Sequence, residues 1–137
     1  MDLVAPEVVA ANFARQPAMA LIGASLSVLE PGRVDVAFPF RQDLTQQDGF
    51  IHAGIITTAA DSACGYAALS SMPTGSDVLS VEFKLNLLRP AAGERFVARA
   101  QVLKRGKTLT AVRADVFAFM GVQARLIAAM QATMIRR

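Results

Sequence analysis

Asp61 is the residue around which chemistry is most readily built. It stands inside residues 53–71 (AGIITTAADSACGYAALSS), a stretch without lysine, arginine or glutamate. A carboxylate within an apolar helix is costly unless it is paired, hydrogen-bonded or at an interface. It is therefore either a structural aspartate that caps a loop or pairs with an arginine, or a general base or nucleophile tuned by burial. His52 and Gly54 come just before that stretch, in Phe50-Ile51-His52-Ala53-Gly54. The free N–H groups at a helix N-terminus favour developing negative charge, and a glycine lets a ligand approach the backbone closely. An oxyanion formed from a carbonyl at that point would be stabilised. The plainer alternative is an ordinary helix start with a hydrogen-bonded histidine.

The spacing of the two is itself informative. His52 and Asp61 are nine positions apart, about 13 Å along a helix axis. Two such groups on one helix cannot meet, whereas two helices side by side from two chains would bring one of each together. Other chemistries lack their parts. Cys64 is the only cysteine and His52 the only histidine, which excludes an intrachain disulfide and argues against a protein-only metal site. Cys64 lies in the apolar helix and reads as an inert buried thiol. The G-x-S-x-G, Walker A and G-x-G-x-x-G patterns are absent.

The surrounding elements read as follows. Residues 6–20 form a helical segment that Pro17 ends or kinks. Strands at 23–30 and 33–40 are joined by a Glu30-Pro31-Gly32-Arg33 turn. In the second strand Val34, Val36, Phe38 and Phe40 share a face. Residues 41–51 are a polar loop. Residues 53–71 form a helix that is apolar on nearly every side, hence buried. Strands follow at 78–88, 94–105, 108–119 and 122–135, although alanine leaves helix open for the last. In 78–88, Leu79, Val81, Phe83, Leu85 and Leu87 alternate with Ser80, Glu82, Lys84 and Asn86; in 122–135, Val122 to Met134 mark one face at every second residue. The pattern is α+β: about six antiparallel strands curled around one buried helix, in a single domain spanning 1–137.

The chain has 137 residues, 53% hydrophobic and 18% charged, against about 45–50% and about 25% in ordinary globular domains. Contacts between subunits would absorb that excess, since no run approaches the ~20 apolar residues of a membrane span. The Met-Asp-Leu-Val start lacks a basic region, so no signal peptide is expected and the cytoplasm is the expected compartment. The net charge of +3 includes the terminal Arg136 and Arg137, read as a possible tail. The mild excess means either plain solvation or attraction for a small anion. Nucleic acid is not expected, because no basic stripe is interleaved with aromatics.

The segment Leu44-Thr45-Gln46-Gln47-Asp48-Gly49-Phe50-Ile51-His52-Ala53-Gly54, followed by Ala60-Asp61, resembles the H-G-G…D signature of the PaaI-like (phenylacetate-degradation type) hotdog-fold acyl-CoA thioesterases. Ser80-Val81-Glu82-Phe83-Lys84-Leu85-Asn86-Leu87-Leu88-Arg89-Pro90 looks like that family's strand after the central helix, and Gly93-Glu94 with Lys104-Arg105-Gly106-Lys107-Thr108 like its next strand pair. The likeness covers roughly residues 20–135. Ala53 departs from it, standing where the family has its first glycine, and so does Gln46, where asparagine is frequent.

The resemblance implies a hotdog fold, a homodimer or a homotetramer built as a dimer of dimers, and active sites shared between subunits. It implies hydrolysis of acyl-CoA or aryl-CoA thioesters, with Asp61 activating water or attacking directly. The N–H of Ala53 or Gly54 would polarise the carbonyl, His52 would help hold the loop and the carbonyl, Ser80, opposite Asp61, would orient the water, and Gln47, in preference to Gln46, would supply a polar side chain. Arg89, Lys104, Arg105 and Lys107 are the candidates for coenzyme A phosphates, with solvation the alternative for that turn. Phe50, Tyr66, Leu69, Met72, Leu79 and Val81 are candidates to line an acyl pocket for a medium-chain or aromatic group. Coenzyme A belongs to the substrate, and no separate cofactor or metal is expected. A hotdog dehydratase or hydratase, and a non-catalytic acyl-CoA-binding protein, are the competing functions.

Overall fold

The computed structural model describes residues 1–137. Two prolines begin the two N-terminal helices, α1 (Pro6–Ala14) and α2 (Pro17–Leu21). Proline suits a first helical turn, where its missing N–H is not needed. The expected helix over 6–20 is thus broken at Pro17. The hairpin of β1 (Ser25–Glu30) and β2 (Arg33–Pro39) turns on Pro31-Gly32, with Gly32 at φ 84°. The Gly32 N–H donates to Ser70 Oγ at 2.9 Å, tying the hairpin to the end of the central helix.

That helix, α3 (Ala53–Ser70), has ten buried residues. Ala59, Ala60, Ala63 and Ala67 are fully buried, and their small side chains let the sheet approach closely. The remaining strands are β3 (Val78–Leu87), β4 (Arg95–Arg105), β5 (Leu109–Met120) and β6 (Gln123–Arg136). All six form one antiparallel sheet in the order β1-β2-β4-β5-β6-β3, wrapped around α3 in the hotdog arrangement. The 122–135 stretch is therefore strand, from Gln123 after a turn at Val122, and Arg136 is the last residue of β6 rather than a loose tail. The core between sheet and helix includes Val34, Val36, Phe38, Phe96, Ala98, Met130 and Met134. Phe40, expected on the same face, lies beyond the end of β2 and is 40% exposed. Val122 and Ala124 are likewise exposed, because the β5–β6 hairpin extends past the helix.

Bulges bend the sheet at Val102/Lys104, Val116/Phe117 and Ser80/Glu82. The last reverses an alternation expected from sequence. In strict alternation Ser80 shares a face with Glu82, Lys84 and Asn86. In the structure Ser80 stands opposite the buried Met134, whereas Glu82 stands opposite Thr133 and accepts its hydroxyl proton at 2.6 Å. Val81 is the extra residue, and Ser80 turns toward α3. β3 is also an edge strand, bonded to β6 alone, with Leu79, Val81, Phe83 and Leu87 exposed.

Candidate active site

Asp61 lies half-buried in the middle of α3. Its Oδ1 accepts a 2.6 Å hydrogen bond from Ser80 Oγ, and no lysine or arginine pairs with it. The length is that of a charge-assisted O–H···O⁻ bond. Oδ2 has no partner in the chain. The structural alternatives for Asp61, a loop cap or an arginine pair, are thus not what the fold provides. A cavity of about 180 Å³ opens over it, lined also by Ser62, Tyr66, Leu79, Ser80 and Met134, with Asn12 from α1 and Gln16 at the start of α2. Burial, with the Asp61 charge adding, pushes the neighbouring Cys64 thiol up to about 12, so it stays protonated. Burial also raises Tyr66, Arg15 opposing and Asp77 adding to the shift, which keeps its hydroxyl a donor.

The helix start combines two readings left open by the sequence, a hydrogen-bonded histidine and a free N–H at one of the two named positions. His52 Nδ1 accepts from the Gly54 N–H at 2.8 Å, so the imidazole caps its own helix and carries its proton on Nε2. This occupies the Gly54 donor. The Ala53 N–H, by contrast, has no partner in the chain. The loop before it is held by Gln46, whose Oε1 accepts from the N–H groups of Asp48 and Phe50 at 2.6 and 3.2 Å. A cavity of about 440 Å³ lies at this end, lined by Gln46, Phe50, Ala53, Ile56, Leu87 and Arg89 among others. Gln46 therefore reaches it, and Gln47, the residue favoured from sequence, does not: Gln47 is exposed, with only Asp48 within reach at 3.4 Å.

The two cavities share no residue. Within one chain Asp61 and the helix start are apart, as the nine-residue spacing requires. The basic candidates also separate. Arg89 lines the helix-start cavity and donates to the Leu126 carbonyl at 2.8 Å. Arg105 and Lys107 line a third cavity of about 290 Å³ with Arg136, and Arg105 donates to the Ser71 carbonyl. Lys104 is exposed and lines none of these three. Leu69 and Met72 are core residues at 1% exposure and do not line the Asp61 cavity, and Val81 is exposed on the sheet edge.

Sequence reasoning missed Asn12, Gln16 and Arg136. The first two carried a signal: they are one helical turn apart, as are Ser62 and Tyr66 on α3, so polar pairs face each other across two helices. No three His, Cys, Asp or Glu side chains converge to hold a metal. No helix is long and apolar enough to cross a membrane.

Residues 48–124 match the sequence profile of the Thioesterase superfamily, the stretch from the loop before α3 to the start of β6. The chain is 53% identical to a thioesterase family protein from Silicibacter pomeroyi, whose crystal structure superposes with a TM-score of 0.91 over 93% of this chain and 94% of that one. It is 33% identical over 86 residues to human acyl-coenzyme A thioesterase 13, across 62% of this chain and 61% of that protein. The chain spans less than two thirds of the length of the first curated relatives it matches. The Escherichia coli PaaI protein from the phenylacetic acid degradation operon shares the fold at 21% identity, with a TM-score of 0.83 over 93% of this chain and 88% of that one. The carboxylate on the buried helix, the capped helix start and the wrapped sheet thus sit in a chain that belongs to the Thioesterase superfamily.

Proposed function

We propose that this protein hydrolyses acyl-CoA thioesters, with Asp61 as the catalytic carboxylate. The observation that carries the reading is Asp61 itself: a carboxylate on a buried helix with one serine bond, one free oxygen and no cation. A stabilising role would have given it a cation or a full set of donors. The free oxygen is available to take a proton from water or to attack the thioester carbon. Ser80 holds the other oxygen and orients the carboxylate. The Ala53 N–H, unpaired at the positive end of α3, meets the carbonyl oxygen as charge develops on it. His52 serves by capping the helix, and Gln46 by holding the loop that presents Ala53.

The site needs a second copy. β3 is ten residues long, exposes Leu79, Val81, Phe83 and Leu87, and is unpaired on one side, an edge of the kind that native proteins cover or blunt. A two-fold, antiparallel pairing of two β3 strands centred near Phe83 brings each Ser80 alongside the partner's Asn86. The Asp61 cavity at one end of β3 then meets the partner's helix-start cavity, lined by its Leu87 and Leu88, at the other end. Each dimer gains two composite sites. The position of Arg89 beside the helix start suits it to a coenzyme A phosphate. Further pairing into a tetramer, action without a separate cofactor and a cytoplasmic location complete the reading.

The deciding experiment is thiol release from a panel of acyl-CoA thioesters, wild type beside Asp61→Asn. Turnover that collapses in a folded, dimeric variant supports the assignment. Turnover that persists in Asp61→Asn removes Asp61 from its role, and no turnover on any thioester removes hydrolysis.

A further inference from the structure

The cavity over Asp61 has a ceiling that thioester cleavage does not require. Asn12 and Gln16, one turn apart on and just after α1, meet Tyr66 and Ser62, one turn apart on α3. Tyr66 Oη donates to Asn12 Oδ1 at 3.1 Å, and Ser62 Oγ donates to Gln16 Oε1 at 3.0 Å. Phe13 packs edge-on against the Tyr66 ring at 5.5 Å and fixes the crossing. Each carboxamide uses its oxygen in these bonds, and neither NH₂ group has an acceptor in the chain. Both residues line the cavity that contains Asp61.

Two unspent amides impose a chemical preference on whatever fills that space. A plain alkyl end packed there strips water from them and returns no bond, at about 1–3 kcal/mol for each group left unsatisfied. An oxygen on the acyl group restores the bond. Its charge is constrained as well: Asp61 and Asp77 both line the cavity, and no lysine or arginine does. A carboxylate on the ligand would also accept from the amides, but beside Asp61 and Asp77 it meets a repulsion that a neutral oxygen does not. The space that one chain encloses over Asp61, about 180 Å³, is below the ~300–1,000 Å³ usual for a whole drug-sized ligand, so it has room for the far end of an acyl group.

We propose that Asn12 and Gln16 are specificity-determining residues that select acyl groups bearing a neutral oxygen, a hydroxyl or keto group, away from the thioester. The inference rests on the hydrolase reading above and narrows its substrate class. It is tested with hexanoyl-, ω-hydroxyhexanoyl- and adipoyl-CoA on wild type, Asn12→Leu and Gln16→Met. The expected kcat/KM for the hydroxylated thioester exceeds that for the other two by at least about tenfold. Each variant should lose that margin, the KM for the hydroxylated substrate rising several-fold more than that for hexanoyl-CoA. A purely structural role lowers all three rates together and overturns the proposal, as does equal turnover of the three by wild type with the hydrolase reading intact. Absence of hydrolysis throughout overturns the hydrolase reading itself and this inference with it.

Discussion

Ser80 Oγ and Asp61 Oδ1 lie 2.6 Å apart, joining the edge strand β3 to the centre of the buried helix. The bond exists because the extra residue Val81 rotates Ser80 out of the polar face of its strand. It leaves Asp61 oriented, with one oxygen free. Asp61→Asn keeps the size and the serine bond but removes the charge. Its kcat is expected to fall by about 10²–10⁴-fold, the usual worth of a positioned acid or base. Ser80→Ala should cost less, about 1.5–3 kcal/mol of the bond to a charged group. Thiol-release kinetics with circular dichroism on both variants check this; unchanged kcat in Asp61→Asn refutes it.

Ala53→Pro isolates the unpaired N–H. Proline is favoured at the first helical position, and His52, at φ −59° and ψ 137°, already has the backbone that precedes a proline. The variant should fold with near wild-type stability and lose about 10²–10³-fold in kcat, as when an oxyanion donor is removed. Full activity in the folded variant would take the Ala53 N–H out of the mechanism.

Complementation tests the proposed sharing of the site between two chains. Asp61→Asn and Ala53→Pro chains, each inactive alone, should regain activity when mixed and allowed to exchange. Half of the dimers are then mixed, each with one intact site, giving about a quarter of wild-type activity. Phe83→Asp on the exposed edge should yield an inactive monomer in light scattering. Failure of the mixture to recover, with exchange verified, places the site within one chain.

His52→Ala removes the helix cap and should lower stability by about 1 kcal/mol, a Tm decrease of about 3–5 °C for a chain of this size. Gly54→Ala acts on the same bond, because an added Cβ would lie 3.0 Å from His52 Nδ1. Thermal melts of both variants decide it; an unchanged Tm means that the imidazole does not support the helix.

Cys64, with its thiol pushed up to about 12 from an ordinary 9.0, carries about a thousandfold less thiolate at pH 8 than it would unfolded. A disulfide reagent should label it only after denaturant is added. Rapid labelling of the native protein would contradict its burial.

Much of this protein is written locally. Proline at positions 6 and 17, the Pro31-Gly32 turn, the alanine-rich apolar run of 53–71 and the strand alternations are near-neighbour patterns, and each reports its own element. Asp61 stood out because a charge in such a run is anomalous on sight. What only the tertiary structure decided depends on residues far apart in the chain. The Val81 bulge is set by pairing with β6, some fifty residues later, so strict alternation put Ser80 on the wrong face. That Gln46 rather than Gln47 holds the loop, and that the Ala53 rather than the Gly54 N–H is left unpaired, depends on how the loop and the His52 cap fold together. Leu69 and Met72 went to the core, and Asn12 and Gln16 to the Asp61 cavity, through the docking of α1 on α3. Sequence periodicity marks which residues share a face of an element; it does not specify which element that face will meet, and the site is made of such meetings.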